Sequence, residues 1–142
     1  SIMTEFSPAW LQGIDEFNRH EYYACHNTLE SLWMDSVEPD KKFYQGVLQI
    51  AVGCYHLHNH NWKGAVILLG EGIGRLPYYQ PVYEGIDVSQ LIQDSSNLLH
   101  ALQSLAEPCP WHYETRIEPH EIIDFVAKLH EDRSPLPILR WV

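Results

Sequence analysis

Basic side chains are scarce in this chain of 142 residues. Nine Lys and Arg stand against nineteen Asp and Glu, for a formal net charge of −10. That balance has the wrong sign for a non-specific nucleic-acid binder or for a protein held on an anionic membrane surface. Long hydrophobic runs are missing too: the longest, such as Ala65–Leu69, fall far short of the ~18 residues that suggest a membrane span. Ser1 to Trp10 carries an acid and a proline and no basic stretch ahead of an apolar one, so no secretory signal is expected. Cysteine is sparse. Cys25, Cys54 and Cys109 are odd in number and lack CxxC spacing; the two inside helical patterns are expected to be small buried hydrophobes, in a reducing, cytoplasmic protein. No P-loop, GxSxG elbow, HExxH or dinucleotide-binding GxGxxG occurs, and Gly70, Gly72 and Gly74 lie inside a helical pattern with no preceding strand.

Aromatic residues, by contrast, are plentiful. Five Trp and eight Tyr within a 45% hydrophobic composition exclude intrinsic disorder. The length suits one all-α domain spanning 1–142. Pro8 fits a first helical turn, and Trp10, Leu11, Ile14 and Phe17 follow at helical spacing. Asn18 ends that helix or caps the next, with Glu21 as a capping-box partner. A second helix runs to about Ser36 and stops before Pro39; a third runs from about Asp40 to Asn59. Gly46 and Gly53, seven residues apart, share a face that lets another helix approach closely.

Asn61 caps a fourth helix with Ala65, Leu68, Leu69, Gly72 and Leu76 on one side, ended by Pro77. Tyr78–Ile86 reads as loop, its crowded tyrosines as packing. Asp87 and Gln90 form a capping box for a fifth helix, and Pro108 and Pro110 break it. Pro119 opens a sixth, with Ile122, Ile123, Val126 and Leu129 inward. No stretch alternates long enough to be a strand. The expected fold is an all-α antiparallel bundle of five to six helices with an extended C-terminal tail, Ser134 to Val142, docked through Leu136, Ile138, Leu139 and Trp141.

Polar residues fall on apolar stripes between Phe17 and Leu76. On the second helix Tyr22, His26, Leu29, Glu30 and Trp33 share one stripe; on the third, Gln45, Gln49, Val52, Gly53 and His56 share another. Helices joined by so short a turn are antiparallel neighbours, so the stripes are expected to face each other, with His26, Glu30 and His56 within hydrogen-bond or single-water reach. Three readings stay open. The groups satisfy one another as a structural network, since an unpaired buried polar group costs roughly 1–3 kcal/mol. Alternatively His26, Glu30 and His56 hold a divalent transition metal with open positions. Or an aromatic pocket binds a small molecule, with the His–Glu pair orienting it or moving a proton. Tyr22, Trp33, Gln45, Gln49 and Asn61 are the ligand-binding candidates. His56, His58 and His60 suit a helix C-terminus without any metal, with His58 pointing away from the other two.

The run Phe17-Asn18 … Tyr22 … His26 … Glu30 … Trp33 resembles the opening signature of the family catalogued as domain of unknown function 309, which runs His-Glu-x-x-Glu-x-x-Trp. Asn27 stands where that pattern has its first Glu. The blocks Phe43-Tyr44-Gln45-Gly46, Gln49-Ile50-Ala51, Tyr55-His56, Asn61, Gly64-Ala65 and Leu68 to Leu76 resemble the family as well, over about 14–80 in all. The resemblance implies a small all-helical fold and no particular activity; residues 87–142 are read from physical pattern alone. The leading expectation is a non-catalytic binding or interaction module for a small-molecule or protein partner. The alternative is a small metal-assisted or acid/base hydrolase-like enzyme using the same cluster. Aromatics in the loops and tail also raise a homodimer.

Overall fold

The computed structural model describes residues 5–108, 115–132 and 136–142. Six α-helices hold most of them: α1 (Pro8–Asn18), α2 (Tyr22–Asp35), α3 (Asp40–His58), α4 (Trp62–Arg75), α5 (Val88–Gln103) and α6 (Pro119–Asp132). The all-α expectation holds. Helix starts follow local chemistry. The Ser7 side chain accepts from Trp10 N with Pro8 in the first turn, Asn61 accepts from Gly64 N, and Asp87 accepts from Gln90 N. Gln90 does not complete the capping box, since its side-chain amide donates to Asp94 instead. Asn18 ends α1, one of its two expected roles, and does not cap α2, where Glu21 occupies that position without a side-chain bond.

Two small antiparallel hairpins were not expected. β1 (Val82–Tyr83) pairs with β2 (Ile86–Asp87) inside the segment read as loop, and β3 (Glu107–Pro108) pairs with β4 (Thr115–Arg116). Strands of two residues are too short to show alternation.

Consecutive helices pack pairwise, α1 on α2, α2 on α3, α3 on α4 and α4 on α5, with α3 central. Its glycines explain the closeness of α4. A Cβ at Gly46 or Gly53 would strike the side chains of Leu76 and Leu69, while one at Gly72 would lie 2.7 Å from the Gly46 carbonyl oxygen. Trp10, Phe17, Leu29, Phe43, Ile50 and Leu57 fill the interior. Cys25 and Cys54 are buried free thiols, as expected, and Cys109 lies outside the described residues. The tyrosines of the loop divide. Tyr78 is exposed, Tyr79 donates to the Pro39 carbonyl, and Tyr83 bonds Asp40, so the latter two fasten the β1–β2 hairpin and the turn before it to the start of α3.

The tail packs on the body. Asn18 grips it from both sides: Nδ2 donates to the Leu139 carbonyl at 2.9 Å, and Oδ1 accepts from Leu139 N at 2.8 Å. Asp87 N donates to the Arg140 carbonyl, Val142 N donates to the Gly85 carbonyl, and Arg140 pairs with Asp94 at 2.7 Å. Leu136 and Leu139 are buried, each worth roughly 1.5–3 kcal/mol. On α6, Ile122 and Val126 point inward, but Ile123 is exposed, contrary to expectation.

Candidate functional site

The cluster expected between α2 and α3 comes apart into three groups. His26 and Glu30 do meet, Nε2 to Oε2 at 2.8 Å, with side chains 36% and 45% exposed. Trp33, one turn on, lies under Lys41, whose ammonium is 5.0 Å from the ring centroid and donates to the Trp33 carbonyl. The Trp33 indole N–H is buried without a partner among the described residues. Gln49 turns to α4: its Oε1 accepts from Arg75 Nε at 2.8 Å and its Nε2 donates to Glu71 at 3.0 Å. His56 also turns to α4, where Asn61 Nδ2 donates to its Nδ1 at 3.3 Å and Gly64 leaves room for its ring. Gln45 is half-buried on the same helix. No hydrogen bond or ion pair among the described residues joins His56 to His26 or Glu30.

Helix phase explains the split. At ~100° per residue, Gly46, Gln49, Gly53 and His56 belong to the side of α3 that meets α4. The side facing α2 carries Tyr55 and His58, whose rings meet Tyr23 and Tyr22. A helix packed on two sides has two apolar stripes, and the polar stripe chosen from sequence is on the α4 side. Among the described residues, no group of three or more His, Cys, Asp or Glu is placed to hold a metal ion, so the His26–Glu30–His56 metal set is not assembled.

A different set of histidines is gathered instead. A cavity of about 280 Å³ opens between the α1–α2 corner, the C-terminal end of α3, α6 and the tail, and His20, His58 and His130 line it. Its walls are aliphatic: Leu57 from α3, Val126 and Leu129 from α6, and Leu136 from the tail. Tyr22, a ligand-binding candidate from sequence, supports this site from below. Its ring stacks on His20 at 5.8 Å, tilts against His58 at 5.3 Å and meets Phe17 edge-on. His58 and His130 meet edge-on at 5.2 Å. Each imidazole is held by a different device. His58 Nδ1 donates to the Cys54 carbonyl at 2.9 Å, the usual i−4 acceptor at a helix end, leaving Nε2 for a ligand. His130 comes from the last turn of α6.

His20 is placed by backbone geometry. With φ at 61° it occupies the left-handed region, where its N donates to the Phe17 carbonyl as the chain turns from α1 into α2. That conformation costs a non-glycine residue roughly 1–2 kcal/mol, and such residues concentrate where function needs them. Burial, and then the nearby His58 and His130, lower the His20 pKa from its ordinary value near 6.5. Deeper in, burial raises the thiol of Cys54 to about 12 and pushes the Tyr22 phenol and the Cys25 thiol up as well, which favours their neutral forms.

Likeness to known proteins is found in the first part of the chain. Residues 10–68 match the family described as "Domain of unknown function (DUF309)". That match takes in fewer than half of the residues and is a likeness of this part of the chain. It runs from α1 into the first half of α4, so the resemblance seen from sequence over about 14–80 is matched up to Leu68. The chain is also 29% identical over 104 residues to the "Uncharacterized protein YpuF" of Bacillus subtilis (strain 168), an alignment covering 72% of this chain and 57% of YpuF. The chain therefore spans little more than half the length of that relative. His20, Leu57 and His58 fall within the matched residues 10–68, whereas Val126, Leu129, His130 and Leu136 do not, so the cavity straddles the end of the match. No helix among the described residues is long and apolar enough to cross a membrane.

Proposed function

We propose that the chain is a non-catalytic binding module whose ligand site is the imidazole cavity. The carrying observation is convergence: three histidines from three separate elements line one aliphatic-walled cavity, and a docked tail supplies part of the wall. A concave, mainly apolar site with a few convergent polar groups is the usual form of a small-molecule site. His26–Glu30, in contrast, is a half-exposed pair on a single helix, without a third metal ligand beside it among the described residues. The net charge of −10 supports a partner other than nucleic acid, and two free buried thiols support a reducing, cytoplasmic setting.

The test is histidine-ring NMR on the full chain with a fragment set of neutral, cationic and anionic aromatics. Fragments that bind are expected to move the His20, His58 and His130 signals and to leave His26 unmoved, with the response lost in Val126→Trp. Fragments that move His26 while leaving the other three in place would contradict the assignment.

One observation also supports a homodimer. The outer ridge of α2 carries Tyr23, His26, Glu30 and Met34, and its two apolar ends are 63% and 64% exposed. Antiparallel pairing with a second copy sets Tyr23 against Met34 and His26 against Glu30, as a two-fold interface requires. Sedimentation velocity at rising concentration should then show self-association that Met34→Glu abolishes; a monomer at every concentration counts against it.

A further inference from the structure

The geometry points to a small monocarboxylate with an apolar body, aromatic or short-chain aliphatic, as the ligand of the imidazole cavity. This rests on the binding-module reading and adds the chemistry of the ligand. Size comes first. About 280 Å³ lies near the lower end of the ~300–1,000 Å³ typical of ligand sites, so the occupant is small. Leu57, Val126, Leu129 and Leu136 present only hydrocarbon to it, which fits an apolar body. Among the described residues, every polar side chain on the lining is a histidine. Among the described residues no carboxylate lines the cavity, so its groups can become positive and cannot become negative.

Histidine chemistry then narrows the head group. The Nδ1 of His58 is already committed to the Cys54 carbonyl, so Nε2 is the atom left for a ligand. That nitrogen donates only when the ring carries both protons, and a bound anion supplies the field that holds the second proton there. The ionisable groups around it, among the described residues, are His20 from the α1–α2 corner, Tyr22 from α2, Cys54 one turn back on α3 and His130 from α6. Two of these four are imidazoles, and the other two are neutral at ordinary pH, being held there by burial. A carboxylate presents two acceptor oxygens and is able to answer more than one imidazole at once. A metal ion requires its ligands to converge on one point, and no three of the described His, Cys, Asp or Glu do so. The overall charge of −10 gives anions no long-range attraction. Affinity must therefore come from short-range bonds and apolar contact inside the cavity, which favours one carboxylate on an apolar frame over a polyanion.

The experiment compares benzoate, hexanoate, benzamide and Zn²⁺ on the full chain, read by assigned histidine-ring NMR. Benzoate and hexanoate should move the His20, His58 and His130 signals toward their protonated positions, with benzoate at least tenfold tighter than benzamide. His130→Phe keeps an aromatic ring and removes the N–H, and should weaken benzoate at least tenfold; His20→Gly, at an exposed position whose backbone suits glycine, should weaken it as well. Benzamide binding as tightly as benzoate would overturn the carboxylate assignment and leave the binding-module reading standing. A set of shifts produced by Zn²⁺ and not by the carboxylates would replace the proposal with a metal site. Carboxylates at millimolar concentration leaving all three signals in place would also overturn it.

Discussion

Two groups of histidines in this protein contrast in how they are made. His26 and Glu30 lie one turn apart on α2 and would meet on almost any helix; their separation is a property of the helix alone. His20, His58 and His130 are spread over 110 positions and meet only because a corner, the end of α3 and α6 fold onto one another. The local pair is solvated and cheap, and the assembled set depends on the whole tertiary structure. Proximity in sequence therefore says little here about which polar groups the fold gathers around a cavity.

Damage to the tail should separate the two groups most sharply. Leu139 is almost fully buried and holds the chain that brings Leu136 to the cavity, so Leu139→Ala should lower stability by about 2–5 kcal/mol in denaturant unfolding. The His26–Glu30 coupling should survive in the folded fraction. The next contrast is at the corner. Because His20 occupies the left-handed region, His20→Gly should be more stable than His20→Ala by about 1 kcal/mol, both variants losing the ring that lines the cavity. Equal stability of the two would show that the backbone conformation is not maintained. The smallest effect belongs to the surface pair. His26→Ala should change stability by no more than about 0.5 kcal/mol, as exposed i,i+4 pairs do. A loss of 1–3 kcal/mol would instead mark His26 as part of a buried network.

Much of the fold was legible because its signals are local. Asn61 and Asp87 cap the helices they precede, Pro8 opens α1 in its first turn, and Asn18 ends α1, the first of its two expected roles. The close approach of α4 was readable from Gly46 and Gly53, since glycines seven residues apart fall on one face. The two hairpins were not, because two residues cannot display an alternation. The candidate site was partly legible. Tyr22 was picked out on its stripe and does support the cavity, yet its partners were invisible. Nothing in the local pattern around His20 or His130 marks them, and His58 looked like a helix-end residue, as it also is. The phase of α3 misled for a physical reason: buried between α2 and α4, it carries apolar residues most of the way round, so its polar stripe could be assigned to either neighbour.

The central claim is that His20, His58 and His130 form one electrostatically coupled site, separate from His26. A histidine-ring NMR pH titration of the ligand-free protein tests it most directly. His20 should titrate below the ordinary value near 6.5, and replacing His58 with Phe should move that midpoint back up, because a neighbouring imidazole is part of what depresses it. The sign for stability follows. Where the folded pKa is lowered, the unfolded chain takes the proton first, so stability should fall as the pH drops from about 6.5 through the folded midpoint. A His20 midpoint at or above 6.5 that the His58 substitution leaves unmoved would contradict the account.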